Sequence, residues 1–153
     1  MVDGVPAGLF PGIGRALATK RKVSIEGNDL FGVRQRVRVP VSGIGPLLVL
    51  KLNAFAGRQQ PKDAYDVLLL VTRYVDGFDK AVAEFRVEAT TANPGYARAA
   101  ATLRQHFTEA GQSGPVRCAA FAFGDQPPGA EARDRQRQII QQMVTVGRTL
   151  LGG

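Results

Sequence analysis

The sequence has no tryptophan, one cysteine and one histidine in 153 residues. A single thiol, Cys118, excludes a disulfide framework and a cysteine zinc site. A single imidazole, His106, argues against zinc catalysis and against a Ser-His-Asp triad. Beside Phe107 in a helical pattern, it reads as a structural or solvent-facing residue. Serine is confined to Ser24, Ser42 and Ser113, and none sits in a Gly-x-Ser-x-Gly elbow. The sequence contains no Gly-x-x-x-x-Gly-Lys-Ser/Thr loop. Gly12-Ile13-Gly14 is not a dinucleotide fingerprint, because Leu17 stands where the third glycine belongs. No stretch of 18 apolar residues marks a transmembrane helix. The first 30 residues carry no basic segment followed by an apolar one, so no signal peptide is expected. These absences predict a cytoplasmic protein with no membrane partner.

What is present is one domain's worth of chain, 44% hydrophobic, which is enough to build a core. The formal charge of +7 is unevenly spread. Residues 1–62 hold ten basic side chains against Asp3, Glu26 and Asp29, whereas residues 63–153 hold ten of each sign. An excess confined to one part of the chain suggests an anionic partner, either nucleic acid or nucleotide phosphate. The competing reading is that the 15 arginines serve only composition and solubility.

Periodicity predicts an α+β fold within a single domain, 1–153. After a Gly/Pro-rich start with a short helix near Ile13–Ala18, residues 20–42 read as a β-hairpin. Lys20–Glu26 places Val23 and Ile25 opposite Lys22 and Ser24. In Val33–Val41 the valines alternate with Arg34, Arg36 and Arg38, so the three arginines share a face. A bundle of five or six helices is expected to follow. The helical part spans 46–123, with Pro46 and Pro61 in first turns. Its helices run through 47–56, about 61–75, on to about Ala89, and from Tyr96 to about Ala110. Residues 115–123 are assigned to helix in preference to strand. A linker at 124–129 precedes a C-terminal helix at 130–151. Two strands alone are marginal, so either the helices cover the hairpin's apolar face or its neighbouring strands lie outside this chain.

One constellation carries chemistry. Lys51 stands inside Leu47-Leu48-Val49-Leu50-Lys51-Leu52-Asn53-Ala54-Phe55, where an ammonium group demands a partner. Arg58 lies two turns on, along a similar face. Lys62, Asp63 and Asp66 follow, the two acids sharing one face of the next helix. Packing the two helices together places Lys51 against Asp66 or Asp63. In one reading the pair only fixes helix register, with Arg58 and Lys62 solvated. In the other, Lys51, Arg58 and Lys62 form a phosphate site that Asp63 and Asp66 orient.

The string from Lys51-Leu52-Asn53-Ala54-Phe55-Ala56-Gly57-Arg58 through Pro61-Lys62-Asp63-Ala64-Tyr65-Asp66-Val67-Leu68 resembles the Lys-x-x-Ala…Arg…Lys-Asp-x-x-Asp-Leu segment of AbiEii/AbiGii-type nucleotidyltransferases, a family that includes toxins of toxin–antitoxin systems. The likeness covers roughly residues 20–75. It implies a polymerase-β-like fold in which the hairpin is a remnant of the catalytic sheet. It also implies magnesium-dependent transfer from an NTP to an acceptor that can be RNA. By this resemblance Lys51 contacts nucleotide phosphate, Asp66 orients the site, Lys62 and Asp63 match the Lys-Asp pair, and Arg58 matches the arginine. The family's Gly-Ser and Asp-x-Asp metal site has no counterpart here. Magnesium needs close carboxylates to hold it on a triphosphate. Residue 1 also falls about where the family's catalytic half would already have ended. The expectation is therefore a remnant, a split partner or a truncated frame, binding no metal or cofactor by itself, inactive alone, and partnered by a separate catalytic chain or an antitoxin.

Two other functions compete. Lys20, Lys22, Arg34, Arg36 and Arg38 predict a non-enzymatic RNA- or protein-binding module. Alternatively, the hairpin's apolar face docks another chain in a purely structural role.

Overall fold

Valine, isoleucine and arginine alternate early in the chain, and the backbone follows that period of two. A computed structural model describes residues 10–124 and 129–153. In it β1 (Arg21–Asn28) and β2 (Arg34–Val41) form an antiparallel two-stranded sheet. Val23 pairs with Val39 and Ile25 with Val37 on one face. Ser24 pairs with Arg38, Glu26 with Arg36 and Asn28 with Arg34 on the other. β1 runs two residues beyond the expected Glu26 because Asp29 closes the turn. Its Oδ1 accepts the backbone N–H groups of Phe31 and Val33, each at 2.9 Å. Gly32, at φ 80°, supplies the left-handed residue that completes the reversal.

Helix α1 (Ile13–Ala18) precedes the hairpin. Six helices follow it: α2 (Ile44–Arg58), α3 (Pro61–Thr72), α4 (Phe78–Val87), α5 (Tyr96–His106), α6 (Ser113–Phe123) and α7 (Ala130–Leu151). The architecture is thus α+β, a hairpin followed by helices. α2 is the central element, packing on α1, α3, α4 and α5. It contributes the fully buried Leu48, Val49, Leu52 and Phe55. Phe55 meets Phe107 edge to face, with ring centroids 4.8 Å apart. α7 closes the bundle through Met143, Val146 and Leu150. It approaches closely enough that a Cβ on Gly147 would collide with the Phe107 carbonyl.

Several boundaries differ from the sequence expectation for local reasons. α3 stops at Thr72, and Gly77, at φ 94°, closes the Tyr74–Gly77 turn through a 3.0 Å bond to the Tyr74 carbonyl. α5 stops at His106, where Phe107 turns into the core and the Gln112 side chain accepts the Thr108 and Glu109 N–H groups. Residues 115–123 are helical within α6. The expected linker at 124–129 falls largely outside the described residues. Of the two alternatives for the hairpin, coverage by the helices is not what occurs. Among the described elements β1 and β2 pack only on each other. Ile25, Val33 and Val37 are half exposed, and Leu30 and Phe31 at the tip are 100% and 91% exposed. Among the described residues no helix is long and apolar enough to cross a membrane.

Candidate functional site

The turn between α2 and α3 is short. Gln59 adopts the left-handed conformation (φ 48°, ψ 36°) and Pro61 opens the next helix. The chain reverses there, so charges on either side of the turn meet. Lys51 Nζ donates to Asp66 Oδ2 at 2.7 Å and lies 4.0 Å from Asp63 Oδ1. Arg58 donates through Nε and Nη2 to the two oxygens of Asp63, both at 2.7 Å. This is the two-pronged geometry that a guanidinium makes with a carboxylate. Lys62 Nζ reaches Asp66 Oδ2 at 3.1 Å.

The buried member of this cluster is Asp63, only 1% exposed, whereas Lys51 is 28% exposed and Arg58 and Lys62 lie largely in solvent. Taking a carboxylate out of water is costly, and pairing of this kind offsets the lost hydration. Burial raises the pKa of Asp66, but hydrogen bonds from Lys51 and Lys62 outweigh it and leave the group below the ordinary carboxylate range. The hydrogen bond to Asp63 likewise raises the Arg58 pKa. Three cations face two anions, so the cluster keeps one positive charge.

The hairpin cations fall on a separate surface. Lys22, Arg34, Arg36 and Arg38 share one face by register, and Lys20 precedes β1 at its base. Glu26 sits in the middle of this row and pairs with both Arg34 and Arg36, in the first case at 3.0 Å. Lys20, Lys22 and Arg38 have no carboxylate partner among the described residues.

A cleft that no local sequence pattern announces lies beside Arg58. It holds about 380 Å³ and is lined by Phe10, Pro11, Asn53, Ala54, Gly57, Arg58 and Arg98. A shallower depression of about 240 Å³ adjoins it, lined by Phe10, Ile13, Leu47, Leu50, Lys51 and Ala54. A larger concavity of about 490 Å³ runs along the polar flank of α7 past Asp134, Arg137 and Gln138. It is lined by one helix only, and no groups from other elements converge on it.

Other candidate groups have structural partners. His106 Nδ1 lies 2.9 Å from Ser113 Oγ, tying the end of α5 to the start of α6. Burial pushes the Cys118 thiol up to about 12, so it is no nucleophile at neutral pH. Glu88, 2% exposed, receives Arg15 at 3.2 Å and the Asn93 amide at 2.8 Å, which anchors α1 to the bundle. Among the described residues no group of three or more His, Cys, Asp or Glu side chains is placed to hold a metal ion. The carboxylates nearest the site, Asp63 and Asp66, are already engaged by three cations, and Glu26 by two arginines. This donor set does not fit magnesium. Comparison with protein-family models, with curated proteins and with solved structures finds no match.

Proposed function

We propose that this chain is the helical portion of an AbiEii/AbiGii-like nucleotidyltransferase, carrying a nucleotide-phosphate site and dependent on a separate catalytic chain for activity. The observation that carries the reading is the cluster at the α2–α3 turn. The five polar positions of the resemblance, Lys51, Arg58, Lys62, Asp63 and Asp66, converge there with one uncompensated positive charge. Asp63 and Asp66 hold the cations in place, and the exposed ends of Arg58 and Lys62 remain open to a phosphate. The uncovered apolar face of the hairpin supports the same reading, because a two-stranded sheet with Ile25, Val37 and Val39 exposed is what remains when its neighbouring strands belong to a partner. Incubated with NTP, magnesium and RNA, the purified chain is expected to transfer nothing. Labelled nucleotide appearing on RNA would overturn its incompleteness.

A second reading has its own observation. The hairpin projects free of the bundle with Arg34, Arg36 and Arg38 on one face and a bare Leu30-Phe31 tip. A basic ribbon of this kind suits RNA phosphates. Binding is then expected to weaken by roughly tenfold or more between about 50 and 200 mM salt. Affinity that does not change across this range eliminates the ribbon as an RNA-binding element.

A further inference from the structure

Two apolar surfaces of this chain are bare, on neighbouring elements that do not meet. The first is the hairpin. Ile25, Val33 and Val37 are half exposed, and Val39 and Val41 more than a third. Only Arg21 at the root and Gln35 near the tip interrupt that face. The tip carries Leu30 and Phe31 on a turn closed by Asp29 and Gly32. The second is a strip on the bundle. α1 is fixed by the buried Ala16 and by the Arg15–Glu88 pair at 3.2 Å. It nevertheless turns Ile13 and Leu17, one helical turn apart, toward solvent. Phe10, more than half exposed, precedes them. Phe10 and Ile13 border the depression of about 240 Å³ that Leu47, Leu50 and Ala54 line from α2.

The hairpin is not built to cover the strip of its own chain. Only Thr19 and Lys20 separate α1 from β1, and only Ser42 and Gly43 separate β2 from α2. The two connections are pressed together. A Cβ on Gly43 would stand 3.2 Å from Thr19 Oγ1, and that hydroxyl donates to the Arg15 carbonyl at 3.1 Å. Two residues span at most about 7 Å, too little to fold a ribbon of about 26 Å back onto the helices it leaves.

A second copy of the chain matches both surfaces at once. We propose that the protein dimerises by arm exchange, each hairpin laying its apolar face and its Leu30-Phe31 tip on the α1–α2 strip of the other copy. The contact is reciprocal, so a single two-fold axis closes it. Phe10, Ile13, Leu17, Leu47 and Leu50 expose on the order of 400 Å² and the hairpin at least as much, so two reciprocal contacts bury roughly 1,600 Å² in total, the size of a standard specific interface. The charges fit this arrangement, because Arg34, Arg36 and Arg38 lie on the opposite face of the ribbon and stay in water. The exchange covers a face and leaves the outer edges of the ribbon open. It therefore stands apart from the strands that the family reading assigns to a partner.

Sedimentation equilibrium of the full chain tests the exchange. A monomer–dimer equilibrium is expected, and a chain that stays monomeric up to about 100 μM overturns it. Phe31→Glu on the arm and Leu17→Glu on the strip are each expected to weaken the dimer by roughly a hundredfold, since each puts an unpaired charge into both symmetric contacts. Both side chains are largely in solvent in the monomer, so the variants keep the fold, which circular dichroism checks. Mixing the two variants is expected to restore part of the association, because the intact arm of the Leu17→Glu chain meets the intact strip of the Phe31→Glu chain. Dimers that either variant leaves unchanged form through another surface and overturn the exchange. So does a mixture no more associated than its components. With a formal charge of +7 on each copy, the dimer is expected to persist or tighten as salt rises. Association lost with salt or with nuclease treatment is bridging by nucleic acid, which overturns it too. At dilutions where the chain is monomeric, the ribbon stays bare.

Discussion

At the scale of single residues, the charged cluster separates into parts of unequal weight. Asp63 is sealed from solvent between α2 and α3, while Lys62 reaches Asp66 across an exposed helix turn. Surface pairs of the second kind contribute little, because solvent screens them and ordering two long side chains costs entropy. Lys62→Ala is therefore expected to change stability by no more than about 0.5 kcal/mol. Asp63→Ala strips Arg58 and Lys51 of their shared acceptor and is expected to cost about 1–3 kcal/mol. Urea denaturation of both variants checks the contrast, and equal losses would contradict the burial argument. Acid adds a second handle. The pKa of Asp66 in the folded chain lies below its unfolded value, so its contribution is complete above about pH 4 and is lost as pH falls through the lower folded value. The melting-temperature gap between the protein and Asp66→Asn is expected to be widest near neutrality and to close as pH falls through the lowered folded-state value. A gap independent of pH would show that the Lys51–Asp66 bond carries no linkage.

At the scale of elements, the hairpin and the bundle are held by different forces. The bundle buries Phe55, Phe85, Phe107 and Leu103 completely. The hairpin has its ladder, the Asp29 turn and the Glu26 pairs, and buries almost nothing. Local opening follows buried apolar contact. Amides of β1 and β2 are expected to exchange with deuterium well before those of α2 and α7, and equal protection would mean that the apolar face is covered in solution. The same contrast explains what the sequence revealed of each element. Alternation named the strands and the arginine face correctly, because register depends only on parity and on the turn. It could not say that the face stays bare, because alternation requires a partner without identifying one.

At the scale of the whole molecule, the segment from α2 to α3 was the most legible. Pro61, the apolar run on each side and the charges within it are all local signals. Helix periodicity brings Lys51, Arg58, Asp63 and Asp66 to facing surfaces once a tight turn joins the two helices. The Asn53–Gly95–Arg98 cleft carries no such signal. Asn53 is 42 residues from Gly95, and nothing in the pattern of either helix announces the other. The Arg15–Glu88 pair was equally hidden, since its two members lie 73 residues apart. By itself, the sequence determined the hairpin and the order of the helices. It also determined that a lysine in an apolar helix would need carboxylates, because each of these follows from interactions a few residues long. Only the tertiary structure decided that the helices leave the hairpin uncovered and that Asn53, Arg58 and Arg98 share a cleft. Those outcomes depend on which distant surfaces find enough apolar area to bury together, and that competition is settled across the whole chain.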